Sequence, residues 1–374
     1  MVAIDTVLLK VASRCNLDCG YCYVYNMGDT GWRAQPKRMS HVVLSAAAEN
    51  LAELAAAQRR PLSVVLHGGE PLLLGVPALS DLFSRLRSTL PRDCDIHVQT
   101  NGLLLDDELI GVLVRHQVGV SISFDGPSAV HDEFRVDRRG RGSHSRVTAA
   151  IERLRRHPGA TTLFTGILCV VDPRADPAEV YAALKATGAP SVDFLYRDGN
   201  RSRLPFGKEA VDSIEYGRWM CGLLDVYLSD PAPPRARILD DMLKLLLGGR
   251  GEKEGVGLTD YGIVVIDTDG RITKNDTLKV AYAGADQFVE SWSVLRNRLV
   301  DVVNRPEFGA YHELQRPTAE VCRACPDLHV CGGGMPAHRW QDDNGYNNPS
   351  VFCADQKLLI EHMRRWLVRA RIAA

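Results

Sequence analysis

Ten cysteines are the residues of this 374-residue chain with the most chemistry to offer. Seven of them form two sets: Cys15, Cys19 and Cys22 near one end, and Cys322, Cys325, Cys331 and Cys353 near the other. The first set has the spacing C-x3-C-x2-C, in Arg14-Cys15-Asn16-Leu17-Asp18-Cys19-Gly20-Tyr21-Cys22-Tyr23. Three close thiolates can hold three irons of a 4Fe–4S cluster and leave the fourth iron open to a small molecule. The same three could instead be part of a zinc site completed by a remote residue. The second set offers four thiolates and by itself suits a structural zinc ion. Cys94, Cys169 and Cys221 have no close partner and read as small buried hydrophobes; Cys169 stands in the apolar run Leu163 to Val171.

The composition sets the context for those thiols. Lys and Arg number 45 against 46 for Asp and Glu, a net charge of −1, so there is no electrostatic case for nucleic acid or an anionic membrane as partner. No apolar run approaches the ~20 residues needed to span a bilayer, and Met1 to Lys10 lacks the pattern of a secretory signal. A soluble, cytoplasmic protein is expected, and there clustered thiols read as metal ligands or catalysts rather than a disulfide framework.

The elements that must position them alternate over the first half. Strand-like runs at Val7 to Ala12, Leu62 to Leu66, Ile96 to Thr100, Val118 to Phe124, Leu163 to Val171 and Val192 to Leu195 are separated by helix-like segments. Those helices are Ser40 to Gln58, Ala78 to Thr89, Asp106 to His116, Ser145 to Arg156 and Pro177 to Ala186. Such alternation predicts an α/β fold with a parallel sheet, and six units are fewer than the eight of a closed barrel. A partial barrel and a doubly wound sheet both fit. Beyond about residue 200 the pattern changes. Helix-like segments at Val211 to Leu228 and Arg237 to Leu247 precede a hairpin at Gly262 to Ile272, a Gly-, Asn- and Cys-rich stretch from Cys322 to Cys353, and a final helix at Leu358 to Ile372.

The C-x3-C-x2-C run, with Tyr21 before its third cysteine, resembles the signature of the radical SAM superfamily. Leu66-His67-Gly68-Gly69-Glu70-Pro71 after the second strand resembles that family's segment for the amino group of S-adenosylmethionine (SAM). Gln99-Thr100-Asn101-Gly102, Ser121 to Pro127 and His131 to Arg135 follow at successive strand ends. The resemblance implies a partial (β/α)6 TIM-like barrel whose first cysteine set holds a SAM-binding 4Fe–4S cluster. It also implies SAM contacts from Tyr21, Gly68, Gly69, Glu70, Ser123 and Arg135. Glycine lets backbone approach a ligand closely, Glu70 can pair with its ammonium, Arg135 suits its carboxylate, Ser123 is a neutral donor, and Tyr21 can stack on adenine. Without a cluster, Arg135 would read as a solvated surface residue and Ser123 as a strand end.

After such a core, the second cysteine set resembles the SPASM extension, which normally carries seven cysteines for two auxiliary clusters. Here the cysteine expected after Cys331-Gly332-Gly333-Gly334 is Met335, the Gly-x4-Cys position counted from Gly270 is Asn275, and no cysteine lies between 222 and 321. The missing residues all serve the first auxiliary cluster. The resemblance therefore implies one auxiliary 4Fe–4S cluster on Cys322, Cys325, Cys331 and Cys353. His338 and Arg339 could tune its potential, hold peptide backbone or serve structure.

Cys15 to Gly28, His67 to Leu72, Asp267 to Gly270 with Asp276 to Lys279, and Cys331 to Cys353 with Asn348-Pro349-Ser350 are similar to FxsB-type radical SAM/SPASM peptide maturases. Tyr196 to Pro205 departs from that group's His-containing segment. Members join an aromatic side chain to the β-carbon of a residue two positions on in a ribosomally made precursor peptide, forming a three-residue cyclophane. In the implied mechanism, reductive cleavage of SAM to methionine and a 5′-deoxyadenosyl radical removes a β-hydrogen, and the carbon radical adds to the ring. Asp276 takes the ring proton and the auxiliary cluster the electron. The alternative for Asp276 is a hairpin cap. Thioether formation and formylglycine-type oxidation are rival reactions on the same scaffold, and a non-catalytic zinc module is a rival of another class. Expected partners are the precursor peptide, an external flavodoxin- or ferredoxin-type electron donor and, because no fused leader-binding domain precedes the first strand, a separate leader-recognition protein or the barrel and SPASM surfaces themselves. The expected domains are a barrel over 1–205, a helical bridge over 206–255 and a SPASM-like domain over 256–374.

Overall fold

A period of two in the first strands separates an apolar face from a polar one, and the sheet is built on that separation. A computed structural model of the chain describes residues 2–373, the last four as backbone only. The chain falls into two compact units. Among the described residues, one comprises 2–124, 131–167 and 262–312, the other 125–130, 168–261 and 313–373.

In the first unit, β1 (Thr6–Ala12), β2 (Ser63–Gly68), β3 (Ile96–Thr100) and β4 (Gly119–Ser123) pair in parallel. They are crossed by α1 (His41–Gln58), α2 (Val76–Thr89) and α3 (Asp107–Arg115). Val7, Leu9, Val11, Val64, Leu66, Ile96, Val98, Val120 and Ile122 are buried to about 1% exposure or less on one face. The alternate positions carry Lys10, His67, Gln99, Ser121 and Ser123, with Lys10 in register with His67 and Gln99 with Ser121. Parallel strands covered on both faces usually read as unbroken apolar runs; here one face is mostly polar, with Leu8 and Val65, paired in register, as its apolar members.

Helix starts follow the local chemistry. Ser40 accepts from Val43 N to cap α1, and Asp106 accepts from Leu109 N to cap α3. Two helices follow β4, α4 (Ser128–Phe134) and α5 (His144–Arg156). The short α4 has no apolar period and is not visible in the sequence pattern. The hairpin forms as expected: β8 (Ile263–Ile266) turns at Asp267 to Gly270 into antiparallel β9 (Arg271–Thr273). Its first strand also pairs in parallel with β1, setting Leu9 beside Ile266. Within this unit the strand order is β10-β9-β8-β1-β2-β3-β4, where β10 is Trp292–Ser293.

The strand β5 (Phe164–Val170) carries the chain towards the second unit, which holds α6 (Pro177–Ala186), β6 (Ser191–Leu195), α7 (Glu215–Ser229), β7 (Arg235–Ala236), α8 (Arg237–Leu246) and α13 (Cys353–Ala373). Short helices α9 (Leu299–Val302) and α10 (Pro306–Glu313) precede α11 (Glu320–Arg323) and α12 (Leu328–Cys331). α7 and α13 pack along one another, burying Trp219, Leu223, Leu224, Leu359, Ile360 and Met363. A fully buried ion pair pins the start of α13: Lys208 Nζ lies 2.7 Å from Asp355 Oδ2, and Gly217 N donates to Asp355 Oδ1 at 2.7 Å. Lys208→Met leaves that carboxylate without its ammonium. It is expected to cost about 3–5 kcal/mol, read as a lowered denaturant midpoint.

Candidate functional site

The loop leaving β1 is folded tightly enough to present its three thiols together. Cys22 N donates to Cys19 O (2.9 Å), Asn26 N to Cys22 O (2.8 Å), and Asn26 Nδ2 to both Asp18 Oδ1 and Cys19 O. The segment after α4 straps this loop from outside, through Asp18 N to Val136 O and Gly20 N to Phe134 O. That strap brings in Arg135, whose Nη1 donates to Tyr21 Oη at 2.7 Å. Arg135 is only 6% exposed, so it is not a solvated surface residue.

The Gly68-Gly69-Glu70 segment lies against the same loop from the β2 side. Gly69 N donates to Ala12 O and Glu70 N to Arg14 O. A Cβ on Gly69 would sit 2.1 Å from Tyr25 Oη and 2.2 Å from Arg14 O, so only glycine fits. Glu70, 1% exposed, spends both carboxylate oxygens on the fold. Oε1 accepts from Leu72 N and Thr100 Oγ1 (2.6 Å), and Oε2 from Asn101 N (2.8 Å). Asn101 in turn donates to Asn16 Oδ1 at 2.7 Å. Ser123 Oγ accepts from Gln99 Nε2 at 2.9 Å.

Burial pushes the Cys15 thiol up to about 12, with the charges of Glu70, Cys19 and Cys22 adding to it; burial likewise lifts Cys22 to about 11. Thiols that repel one another's charge in this way become thiolates when a cation is supplied. Three thiols on one closed loop, each able to yield its proton to a cation, suit a metal cluster.

Asp276 stands where the polar face of β1 and β2 meets the turn after β9. Its side chain is fully buried; Lys10 Nζ is 2.7 Å from Oδ2, and Tyr23 Oη donates to Oδ1 at 3.1 Å. Asn275, at the position of the missing cysteine, does the capping: its Oδ1 accepts from Thr277 N and Thr277 Oγ1. Burial pushes the Asp276 carboxyl up, but Lys10, His67 and Lys279 outweigh it, and the net shift is down. Lys10 moves up: burial opposes the shift, and Asp276 and Asp267 override it. Burial pushes His67 down, and its Nδ1 has no hydrogen-bond partner. Lys10, Tyr23 and His67 were not singled out in the sequence as an acid–base group. The register of β1 and β2 is what joins them.

In the second unit, Cys322 and Cys325 share a turn, Cys331 ends α12 and Cys353 begins α13. Burial lifts Cys331 to about 12, and Cys353, Cys322 and Cys325 add to the rise. The four thiols thus feel one another and fit the same kind of centre. Met335 packs its sulfur against Gly255, where an added Cβ would lie 2.9 Å away. His338 Nε2 lies 3.5 Å from Asp198 Oδ1 and its ring meets Phe352 edge-on. No three His, Cys, Asp or Glu side chains among the described residues converge to hold a single ion. Cys94 and Cys169 are core residues, at 0% and 1% exposure. No helix among the described residues is long and apolar enough to cross a membrane.

Residues 9–183 match the family model described as the Radical SAM superfamily. The chain has the radical SAM fold. A solved structure of native anSMEcpe with bound AdoMet and Cp18Cys peptide superposes with a TM-score of 0.81 at 21% identity, covering 98% of each chain. The radical SAM fold also matches Streptococcus suis SuiB bound to precursor peptide SuiA, with a TM-score of 0.63 at 14% identity over 94% of this chain and 76% of that one. In sequence, a cysteine-type anaerobic sulfatase-maturating enzyme of Clostridium perfringens is 22% identical over 96% of this chain and 95% of its own. A serine-type enzyme of Klebsiella aerogenes is 25% identical over 89% and 80%.

The shifts of Asp276 and Lys10 set a pH window for stability. A carboxyl lowered on folding contributes above its ordinary pKa of ~3.9 and loses that contribution as pH falls through the lowered value; an ammonium raised above ~10.4 contributes below it and loses that as pH rises through the raised one. Without Lys10 the buried Asp276 carboxyl takes up a proton that the unfolded chain does not, so the gap in denaturation midpoint between wild type and Lys10→Met is expected to be widest at about pH 8 and to narrow steadily as pH falls.

Proposed function

We propose that the protein is a radical SAM enzyme that modifies side chains of a ribosomally made precursor peptide. The observation that carries this reading is Asp276, a buried carboxylate kept ionised by Lys10 and bonded to Tyr23, the residue directly after the third cysteine of the first set. When bound, a cluster on Cys15, Cys19 and Cys22 with SAM supplies one-electron chemistry able to remove a hydrogen atom from carbon. Tyr21, Gly68, Gly69, Glu70, Ser123 and Arg135 shape the SAM site. Glu70 acts there chiefly by fixing the loops, because its oxygens are already engaged. Cys322, Cys325, Cys331 and Cys353 hold an auxiliary cluster. The relatives' described substrates and bound AdoMet support this reading.

The reaction we assign is the joining of an aromatic ring carbon to the β-carbon of a nearby residue, a cyclophane. A ring that has gained the new bond and lost an electron is a strong acid, so a carboxylate with a lowered pKa suffices as its base. Asp276 accepts that proton, Lys10 holds the charge in place, and Tyr23 fixes the direction of approach. The electron given up by the ring would pass to the group on Cys322, Cys325, Cys331 and Cys353, and the electron that cleaves SAM would come from an external flavodoxin- or ferredoxin-type donor; leader recognition would fall to a separate protein or to the barrel and SPASM surfaces. Likeness to sulfatase-maturating enzymes along nearly the whole chain favours a second reading, formylglycine-type oxidation of Cys or Ser.

Anaerobically reconstituted protein is expected to hold about eight irons per chain, from two four-iron clusters; four irons with stoichiometric zinc would overturn the second assignment. Mass spectrometry of a precursor peptide should show loss of two hydrogens, a fragmentation gap across the crosslink and no reaction with an aldehyde reagent. Aldehyde capture would instead establish the formylglycine reading. Asp276→Asn is expected to lower crosslinking about 100-fold or more while 5′-deoxyadenosine still forms. Cys15→Ala should abolish both, and full crosslinking by Asp276→Asn would remove the base role.

A further inference from the structure

A deeply buried cation in the second unit has no carboxylate partner among the described residues. Arg339 is 1% exposed, on the short turn Pro336–Arg339. Its Nη2 donates to the carbonyl of Leu314, its Nε has no acceptor, and no Asp or Glu among the described residues lies within 4.0 Å. A buried guanidinium left in this condition is costly unless an anion is supplied.

The anion's place follows from the backbone. Val351 N donates to His338 O at 2.8 Å and Asn348 Nδ2 to Arg339 O at 3.1 Å, tying this turn to the segment that ends in Cys353. The turn itself follows Cys331 through Gly332-Gly333-Gly334. Arg339 is thus held between the two halves of the cysteine set, and Cys322 and Cys331 are the charges that oppose the effect of its burial. Arg339 is the foremost cation acting on Cys322, ahead of Lys357; Cys353 feels Lys357, which is solvent-exposed and screened, and Arg201.

A second unused donor reaches the same place. Tyr196 stacks on Phe352, the neighbour of Cys353, with ring centroids 4.6 Å apart, and meets Tyr216 edge-on at 5.7 Å. Its hydroxyl is buried with no hydrogen-bond partner, and after Asp355 the charge acting on it most is Cys331. Two orphaned donors from separate elements, Arg339 tied to Asn348 and Tyr196 stacked on Phe352, thus flank the segment that leads into Cys353.

We infer that Arg339, with Tyr196 as second donor, is the built-in counter-charge of the auxiliary centre and sets its reduction potential. The inference rests on the reading of Cys322, Cys325, Cys331 and Cys353 as ligands of a four-iron cluster. Four thiolates around such a cluster carry net negative charge, and one-electron reduction adds one more. A fixed cation and a hydrogen-bond donor in a water-poor pocket favour the more negative state, raising the potential. Both are positioning residues, since they act through the ligands and the cluster sulfurs.

The test uses the full chain carrying Cys15→Ala, Cys19→Ala and Cys22→Ala, reconstituted with iron and sulfide, so that only the auxiliary centre is loaded. Its midpoint potential is read by dithionite titration followed by electron paramagnetic resonance. Arg339→Met is expected to move the midpoint to more negative potential and Arg339→Lys to restore most of it. Tyr196→Phe should give a smaller shift in the same direction, with iron content unchanged. A wild-type midpoint in both Arg339→Met and Tyr196→Phe overturns the inference. If Arg339→Met does not load, an unshifted Tyr196→Phe overturns it alone. Absence of iron from the parent triple variant would overturn the underlying cluster assignment instead.

Discussion

Backbone contact between the exits of β1 and β2 is the constraint on which the first unit depends. Gly69 and Glu70 donate to Ala12 and Arg14, and the space there admits no side chain at position 69. The Glu70 carboxylate then gathers Leu72, Thr100 and Asn101, and Asn101 reaches Asn16 within the cysteine loop. Three strand ends and one ligand loop are thereby locked into one arrangement. Each hydrogen bond to a buried ionised carboxylate contributes about 1.5–3 kcal/mol. The thiol loop is thus held on one side by this knot and on the other by the Phe134–Val136 strap.

The polar face of the sheet solves a different problem. A carboxylate as buried as Asp276 would ordinarily take up a proton, because desolvation disfavours the charged form. Lys10, opposite His67 in the β1–β2 register, reverses that preference. Nearby, Lys279 lies 3.2 Å from Asp29 and 3.3 Å from Asp286, so two ammonium groups serve several carboxylates in one water-poor volume. Charge is concentrated where the candidate chemistry needs it and excluded from the opposite face, where Leu9, Val64 and Val98 are fully buried.

Much of this was legible in the residue order, because its signals are local. Short apolar runs marked β1 to β6, and helical period marked α1, α3 and α6, whose starts the structure shows capped by Ser40, Asp106 and Asp176. Cysteine spacing and the Gly-Gly-Glu run marked the site. What escaped depends on partners far apart in sequence. Lys10 reads as an interruption in an apolar strand until β8 and β2 pair on either side of it. Asp276 read equally as a base or as the hairpin cap, and only the folded chain shows that Asn275, read as the place of a missing cysteine, does the capping. The final helix begins at Cys353 rather than Leu358, because its first turn is fixed by Asp355 contacts and not by apolar period.

That anchoring of α13 has a consequence for the cysteine it carries. Cys353 is the first residue of a helix seated by the Lys208–Asp355 pair and by the packed face of α7. The place of its thiol is therefore set by a charge pair two residues further on. A shift of that pair by one position would swing the thiol about 100° around the helix axis.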